Sequence, residues 1–369
     1  MVIKGFFLNK RIESLDYLRG LMALSIMIYH YYIWHIGELS SYSLLGKLGI
    51  YAVSVFYVLS GLSLAIVYRN KVVDLASTKE FLLKRIFRIA PLLWFVTSIY
   101  IVLKLSYIFF FHDGEMYSLS DIVLNYTLMF GFFKPDGYIA IGGWSLGNEI
   151  VFYSLLPFVF LLMLKRNFYF FVVFLLSWLY VIYFSFFYID ESVPLARQWG
   201  DYINPLNQIY MFLSGVALGL YRNYIDDLGK RSFFLLFLAV LLSIWLYPVE
   251  SGEVHLVSGW NRILLSLLCI CLVLICLKST WVLRGKIRNI LLFLGDRCYS
   301  IYLIHPIVSL VAVQCFSIIG FPQELIFIVS VLLTLLLSSW TYKFIELKSI
   351  SLGNMYISKK TLSTDSSSA

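Results

Sequence analysis

Apolar runs of roughly bilayer-spanning length recur along the whole chain, and no other feature limits its fold as strongly. A membrane-crossing helix needs about 20 mostly apolar residues. Such runs fall at roughly 15–35, 45–67, 87–111, 146–164, 168–188, 204–221, 232–248, 262–278, 298–319 and 323–345. A weaker run, about 119–133, reads as a short interfacial or re-entrant piece. Of the 369 residues 60% are hydrophobic and 18% aromatic, a balance that water-soluble domains do not have. The expectation is an all-α integral membrane protein, a bundle of about ten transmembrane helices. The first run is too long for the apolar core of a signal peptide and reads as a retained first helix.

The basic residues set the orientation. With the N-terminus inside, the cytoplasmic segments hold Lys4, Lys10 and Arg11, then Arg69, Lys71, Lys79, Lys84, Arg85 and Arg88. Lys165, Arg166, Arg222, Lys230, Arg231, Lys278, Arg284, Lys286 and Arg288 continue the pattern, as do Lys343, Lys348, Lys359 and Lys360. The outer segments hold only Lys47, Lys134, Arg197 and Arg262. This asymmetry predicts both termini in the cytoplasm and a multi-pass protein of the cell (inner) membrane. It also accounts for the net charge of +8 without a nucleic-acid partner. One membrane domain is expected over 1–350, followed by a polar, disordered cytoplasmic tail over 351–369. The five cysteines lie in or beside late apolar runs, in no spacing that predicts a disulfide framework or a metal site.

Chemistry is concentrated in the first run. Arg19 and His30 are eleven positions apart, about three helical turns, so their side chains share a face roughly 16 Å apart along the axis. Asp16 precedes Arg19 by three residues and shares that face. Ionisable groups inside a bilayer are costly and face a bundle interior or a wet cavity.

Four further stretches carry polar groups. Val53 to Gly61 ends Ser60-Gly61, small residues that let helices approach closely. Arg85 and Arg88 point the same way on a helical turn. They suit the oxygens of a phosphate, or serve as ordinary cytoplasmic flank charges. Trp144-Ser145-Leu146-Gly147-Asn148-Glu149 opens a helix near the outer face, and a carboxylate at the depth of Glu149 needs a partner or a water-lined cavity. Ser300, Tyr302 and His305 lie on the ninth run. The Ser300-to-His305 spacing is not that of a nucleophile and its base, and His305, next to Pro306, is placed to bond a carbonyl freed at a kink.

Together these stretches resemble acyltransferase family 3, integral membrane proteins that O-acylate bacterial surface polysaccharides among other substrates. The resemblance spans about 11–346. Arg19 and His30 match the family's arginine, ten residues, histidine signature. Phe56 to Gly61 resembles its Phe-Val-Leu-Ser-Gly segment, and Arg85 with Arg88 its Arg-x-x-Arg. Trp144, Ser145, Leu146 and Glu149 match Trp-Ser-Leu-x-x-Glu. Ser300, Tyr302, Leu303 and His305 match the Ser-Tyr-x-x-Tyr-Leu-x-His end, with a small departure at Cys298-Tyr299-Ser300. Glu346 matches a terminal Glu, but the Arg-Pro that follows it in the family is Leu347-Lys348 here.

The resemblance implies an acyl-CoA donor, most often acetyl-CoA, used as a substrate with no bound cofactor. The acceptor it implies is a sugar hydroxyl of a lipid-linked or surface polysaccharide, such as O-antigen or capsule. His30 is then the expected general base, with a side-chain pKa class suited to proton transfer near neutral pH. Arg85 and Arg88, with Arg19, are expected to bind the donor phosphates, and Asp16 to orient Arg19. Arg19, Asp16 and Glu149 join His30 in the expected catalytic set, and Trp144, Ser145, Ser300, Tyr302 and His305 are expected to bind or orient the acceptor. The other expected partners are membrane lipids. A polysaccharide polymerase, a flippase or another transporter would share the composition. Short, arginine-poor outer loops speak against a polymerase, and the lack of an inverted repeat against a secondary transporter.

Overall fold

A computed structural model describes residues 11–366. Lys4 and Lys10, used above for orientation, and 367–369 at the end of the polar tail lie outside the described residues. Twelve main helices follow in order among them: α1 (Glu13–His35), α2 (Leu44–Tyr68), α3 (Leu75–Phe111), α4 (Gly143–Lys165), α5 (Phe168–Tyr183), α6 (Pro205–Tyr221), α7 (Lys230–Leu246), α8 (Gly259–Leu277), α9 (Gly285–Asp296), α10 (Cys298–Ile318), α11 (Gln323–Thr341) and α12 (Leu347–Ser366). Helices thus occupy all ten expected segments. Seven of the described helices are long and apolar enough to cross a membrane. The seven do not include α6 and α7, of 17 residues each, nor α1, which carries Glu13, Asp16, Arg19, His30 and His35. The weak run after α3 forms two short helices, Leu119–Tyr126 and Phe130–Phe133. The segment read as a polar tail is helical in α12 as far as Ser366.

Local chemistry sets where helices begin. Ser43 Oγ accepts from Gly46 N at 2.9 Å and caps α2. Asp74 and Ser77 form a reciprocal capping box. That cap starts α3 about three turns before its apolar run, so Arg85 and Arg88 sit within the helix rather than in the preceding loop.

Two seams bring backbones into contact. A Cβ at Gly61 on α2 would stand 2.0 Å from Phe212 O on α6, and one at Gly215 on α6 would stand 2.0 Å from Val58 O on α2. Only glycine permits this approach. At the second seam, a Cβ at Gly295 would stand 2.3 Å from Asp16 O, so the end of α9 lies against the first turns of α1.

Two of the four basic residues expected in outer segments are buried and structural. Lys47 Nζ donates to the carbonyl oxygens of Ile244, Trp245 and Tyr247 at 3.0, 2.9 and 2.6 Å. A cation there satisfies the open carbonyls at the end of α7 and complements its dipole. Arg262 donates to Asn207 O at 2.9 Å and lies over the rings of Phe184, Tyr202 and Tyr210. A third, Lys134, pairs with Asp121 at 2.7 Å.

Candidate active site

Five helices enclose a cavity of about 240 Å³. α1 contributes Arg19; α2 contributes Phe56, Ser60 and Ser63; α3 contributes Arg85 and Arg88. Ser145, Glu149 and Tyr153 come from α4, and Cys298, Tyr299 and Tyr302 from α10. The periodicity of each helix explains the grouping. Ser60 and Ser63, Arg85 and Arg88, Ser145 and Glu149, and Glu149 and Tyr153 are spaced three or four apart, so each pair shares a face.

The arginines are held at one side of this space. Arg19 Nη1 meets Asp16 Oδ1 at 2.6 Å, and its Nη2 donates to Ser63 Oγ at 2.5 Å. Asp16 Oδ2 accepts from Arg11 Nε at 2.5 Å, and Arg11 reaches on to Asp296 at 2.6 Å. Asp16 therefore braces Arg19 while being braced itself. Arg85 lies over the Tyr68 ring at 5.5 Å, and its buried Nε has no hydrogen-bond partner. A buried donor left open costs stability unless a ligand or water meets it. Arg88 is exposed to the cavity space. Arg85 and Arg88 also line a second cavity of about 250 Å³, with Tyr68, Lys84, Gly353 and Asn354. The two arginines thus stand where the cavities adjoin.

Glu149 accepts from Tyr153 Oη at 2.8 Å, and that hydroxyl is also 2.8 Å from Ser60 Oγ. Tyr302 Oη is 2.8 Å from Ser145 Oγ and donates to Gly142 O at 3.0 Å. Gly142 has φ +83, in the left-handed region that glycine adopts freely.

His30 and His305 do not line the cavity; they meet each other. His30 Nδ1 and His305 Nε2 are 2.8 Å apart, with ring centroids 5.1 Å apart and ring planes within 10° of parallel. Trp34, one turn on from His30, stacks on the His30 ring at 4.9 Å and 7°, and its ring lies 6.0 Å from that of His305. His305 Nδ1 is 3.1 Å from Ile301 O. This is the carbonyl one turn back from His305; the backbone of Tyr302, whose carbonyl Pro306 leaves without an N–H, also bonds the ring. The Tyr302 ring lies 6.1 Å from that of His305, so Tyr302 borders both the cavity and the histidine pair.

Two expected residues fall elsewhere. Trp144 is buried against Trp199 at 5.6 Å. Ser300 donates to the buried Glu346 and accepts from Thr341 Oγ1 at 3.0 Å. Glu346 ends a π-helical turn, Tyr342–Glu346, between α11 and α12. Sequence reasoning missed Ser63, Tyr153, Tyr299 and Trp34 as members of the site. The signal was present for three of them: Ser63 is three residues from Ser60, and Tyr153 and Trp34 follow Glu149 and His30 by four. Nothing local marked Tyr299.

Comparisons with known proteins agree with this picture. The acyltransferase domain family matches residues 12–343. Among curated proteins, the chain is 26% identical over 385 aligned positions to "Putative O-acetyltransferase SACOL0978" of Staphylococcus aureus strain COL. It is equally similar to "Putative O-acetyltransferase SAS0844" of strain MSSA476. Each alignment covers 93% of this chain and 58% of the relative, so the chain spans little more than half the length of the proteins it matches. No solved structure matches. The family match extends over nearly the whole helical bundle, from the start of α1 to the π turn after α11, and the chain therefore belongs to acyltransferase family 3.

Proposed function

We propose that this protein is a membrane O-acyltransferase that moves an acetyl group from acetyl-CoA to a sugar hydroxyl of a lipid-linked or surface polysaccharide. One observation carries the reading. Arg19, Arg85 and Arg88, from two separate helices, converge on one cavity that also includes Tyr302, whose ring adjoins the His30–His305 pair. Guanidinium groups grip phosphate oxygens through charge-assisted bonds, and a CoA thioester carries its phosphates at one end and its reactive carbonyl at the other. Neither cavity is as large as the roughly 300–1,000 Å³ typical of a ligand site. The donor phosphates sit at Arg85 and Arg88, where the two cavities adjoin, with the pantetheine arm running inward. His30 acts as general base on the acceptor hydroxyl. Asp16 orients Arg19, and Glu149, Ser145, Tyr302 and His305 orient the reacting groups. Acetyl transfer to oxygen is supported by the names of the relatives, and the sugar acceptor by the motif resemblance. Both termini and the face bearing Arg85 and Arg88 are cytoplasmic, in a cell (inner) membrane, on the distribution of basic residues.

The test uses purified protein in lipid nanodiscs with radiolabelled acetyl-CoA, alongside glycan from cells with and without the gene. Acetyl-CoA turnover that needs His30, and loss of glycan O-acetyl groups with the gene, are expected. Turnover unchanged in His30→Ala, or identical glycans, would overturn the reading.

A further inference from the structure

We infer that His305 is a positioning residue that fixes His30 in the Nδ1–H tautomer and leaves His30 Nε2 as the proton-accepting atom. This rests on the reading of His30 as the general base.

The direction follows from one carbonyl. Ile301 O can only accept, so the 3.1 Å contact places a proton on His305 Nδ1. A neutral imidazole carries one N–H. His305 Nε2 therefore bears a lone pair and accepts from His30 Nδ1 across 2.8 Å. His30 has then spent its only N–H inward, and its Nε2 is bare. That atom has no protein partner among the described residues, and His30 is only partly buried. Two neighbours fix the geometry. Trp34 stacks on the His30 ring, and Tyr31 Oη donates to His305 O at 2.8 Å. A buried carboxylate performs the same orienting task in serine hydrolases; here a second imidazole does so.

The proton balance closes. The acceptor hydroxyl gives its proton to His30 Nε2, and its oxygen bonds to the thioester carbonyl carbon. The C–S bond breaks and the thiolate leaves with the electron pair. It then takes the proton from His30 Nε2, giving the ester and the free thiol. While His30 holds the extra proton, the Nδ1–H···Nε2 bond lets His305 share the positive charge.

Nitrogen-15 NMR of histidine-labelled wild-type protein in nanodiscs tests the tautomer directly, with His30 assigned by the signal lost in His30→Gln. Nδ1 protonated and Nε2 bare is expected; an Nε2–H tautomer at His30 overturns the inference, and the result is read on the wild-type protein, with folded His30→Gln needed only for the assignment. Kinetics add a second arm. The Gln side-chain oxygen can accept where His305 Nε2 does, so His305→Gln should lower kcat only about tenfold. His305→Leu should lower it by about 10³-fold or more, as expected for a misdirected base. KM for acetyl-CoA should stay within about twofold in both. Equal loss in both variants with a raised KM would mean simple structural damage, and wild-type kcat in the Leu variant would mean no role; each overturns the inference. Full transfer by His30→Ala would instead sink the proposed base, whatever tautomer is measured.

Discussion

Arg288 grips Glu13 with two hydrogen bonds, Nε to Oε2 at 2.8 Å and Nη2 to Oε1 at 2.6 Å. The pair ties α9 to the first turn of α1, the helix that carries Arg19 and His30. The Arg288 guanidinium, helped by the Tyr17 hydroxyl, lowers the Glu13 pKa to about 2. A carboxyl lowered on folding stabilises the protein at pH values above its unfolded pKa, about 4.3, and that gain fades as pH falls through the folded value. Glu13→Gln should therefore cost about 1 kcal/mol at pH 7. The gap from wild type should narrow as pH falls from about 4.5 toward 2. Thermal unfolding of detergent-purified protein across that range measures it; a gap that widens toward acid would contradict the assignment.

Donor affinity should depend on the paired arginines. Arg85→Ala with Arg88→Ala should weaken acetyl-CoA binding by about 10-fold or more, since charge-assisted hydrogen bonds are worth roughly 1.5–3 kcal/mol each. Lysine at both positions should rescue poorly, because a point charge cannot replace the planar fork. Isothermal titration on correctly folded protein decides it, and unchanged affinity in the double variant would return both residues to the role of flank charges.

The phase of α1 should matter as much as its composition. Arg19 meets Ser63 of α2, whereas His30 meets His305 of α10. One alanine inserted after Leu24 rotates one end of the helix by about 100° against the other and lengthens it by about 1.5 Å. The two contacts cannot then both form, and transfer should collapse while membrane insertion is kept. Four inserted alanines nearly restore the phase but add about 6 Å, and this variant should also be inactive. Near wild-type glycan acetylation by a monodisperse one-alanine variant would show that the two residues do not work as a unit.

Orientation is open to chemical labelling. A single cysteine at Lys79, in an otherwise cysteine-free background, should resist an impermeant maleimide in intact cells and react after permeabilisation. Labelling from outside would reverse the topology drawn from the basic residues.

Much of this was legible in the sequence. Every long apolar run became a helix, because backbone groups in lipid must be satisfied within the segment. Arg19 and Glu149 were chosen as costly charges in apolar surroundings, and Arg85 with Arg88 as a guanidinium pair suited to phosphate; all four converge on one cavity. The contact of His30 with His305 was not legible, since 275 positions separate them and neither helix records the other's rotation. The surroundings of Lys47 and Arg262 were not legible for the same reason: only packing shows three carbonyls around one and three aromatic rings around the other. Trp144, expected to bind or orient the acceptor, packs on Trp199.

The glycine seam between α2 and α6 divides the molecule mechanically. At Gly61 and Gly215 each helix presses on the other's carbonyl oxygens, and backbone in that position has no rotamer with which to yield. The wall that presents Ser60 and Ser63 is thus fused from behind into a rigid spar. On the opposite side, a Cβ at Gly353 of α12 would stand 2.7 Å from the Phe87 ring of α3, a side chain that can swing aside. That compliant contact borders the second cavity, beside Arg85 and Arg88. The fold has a stiff wall and a soft one, and the donor route proposed above would run past the soft one.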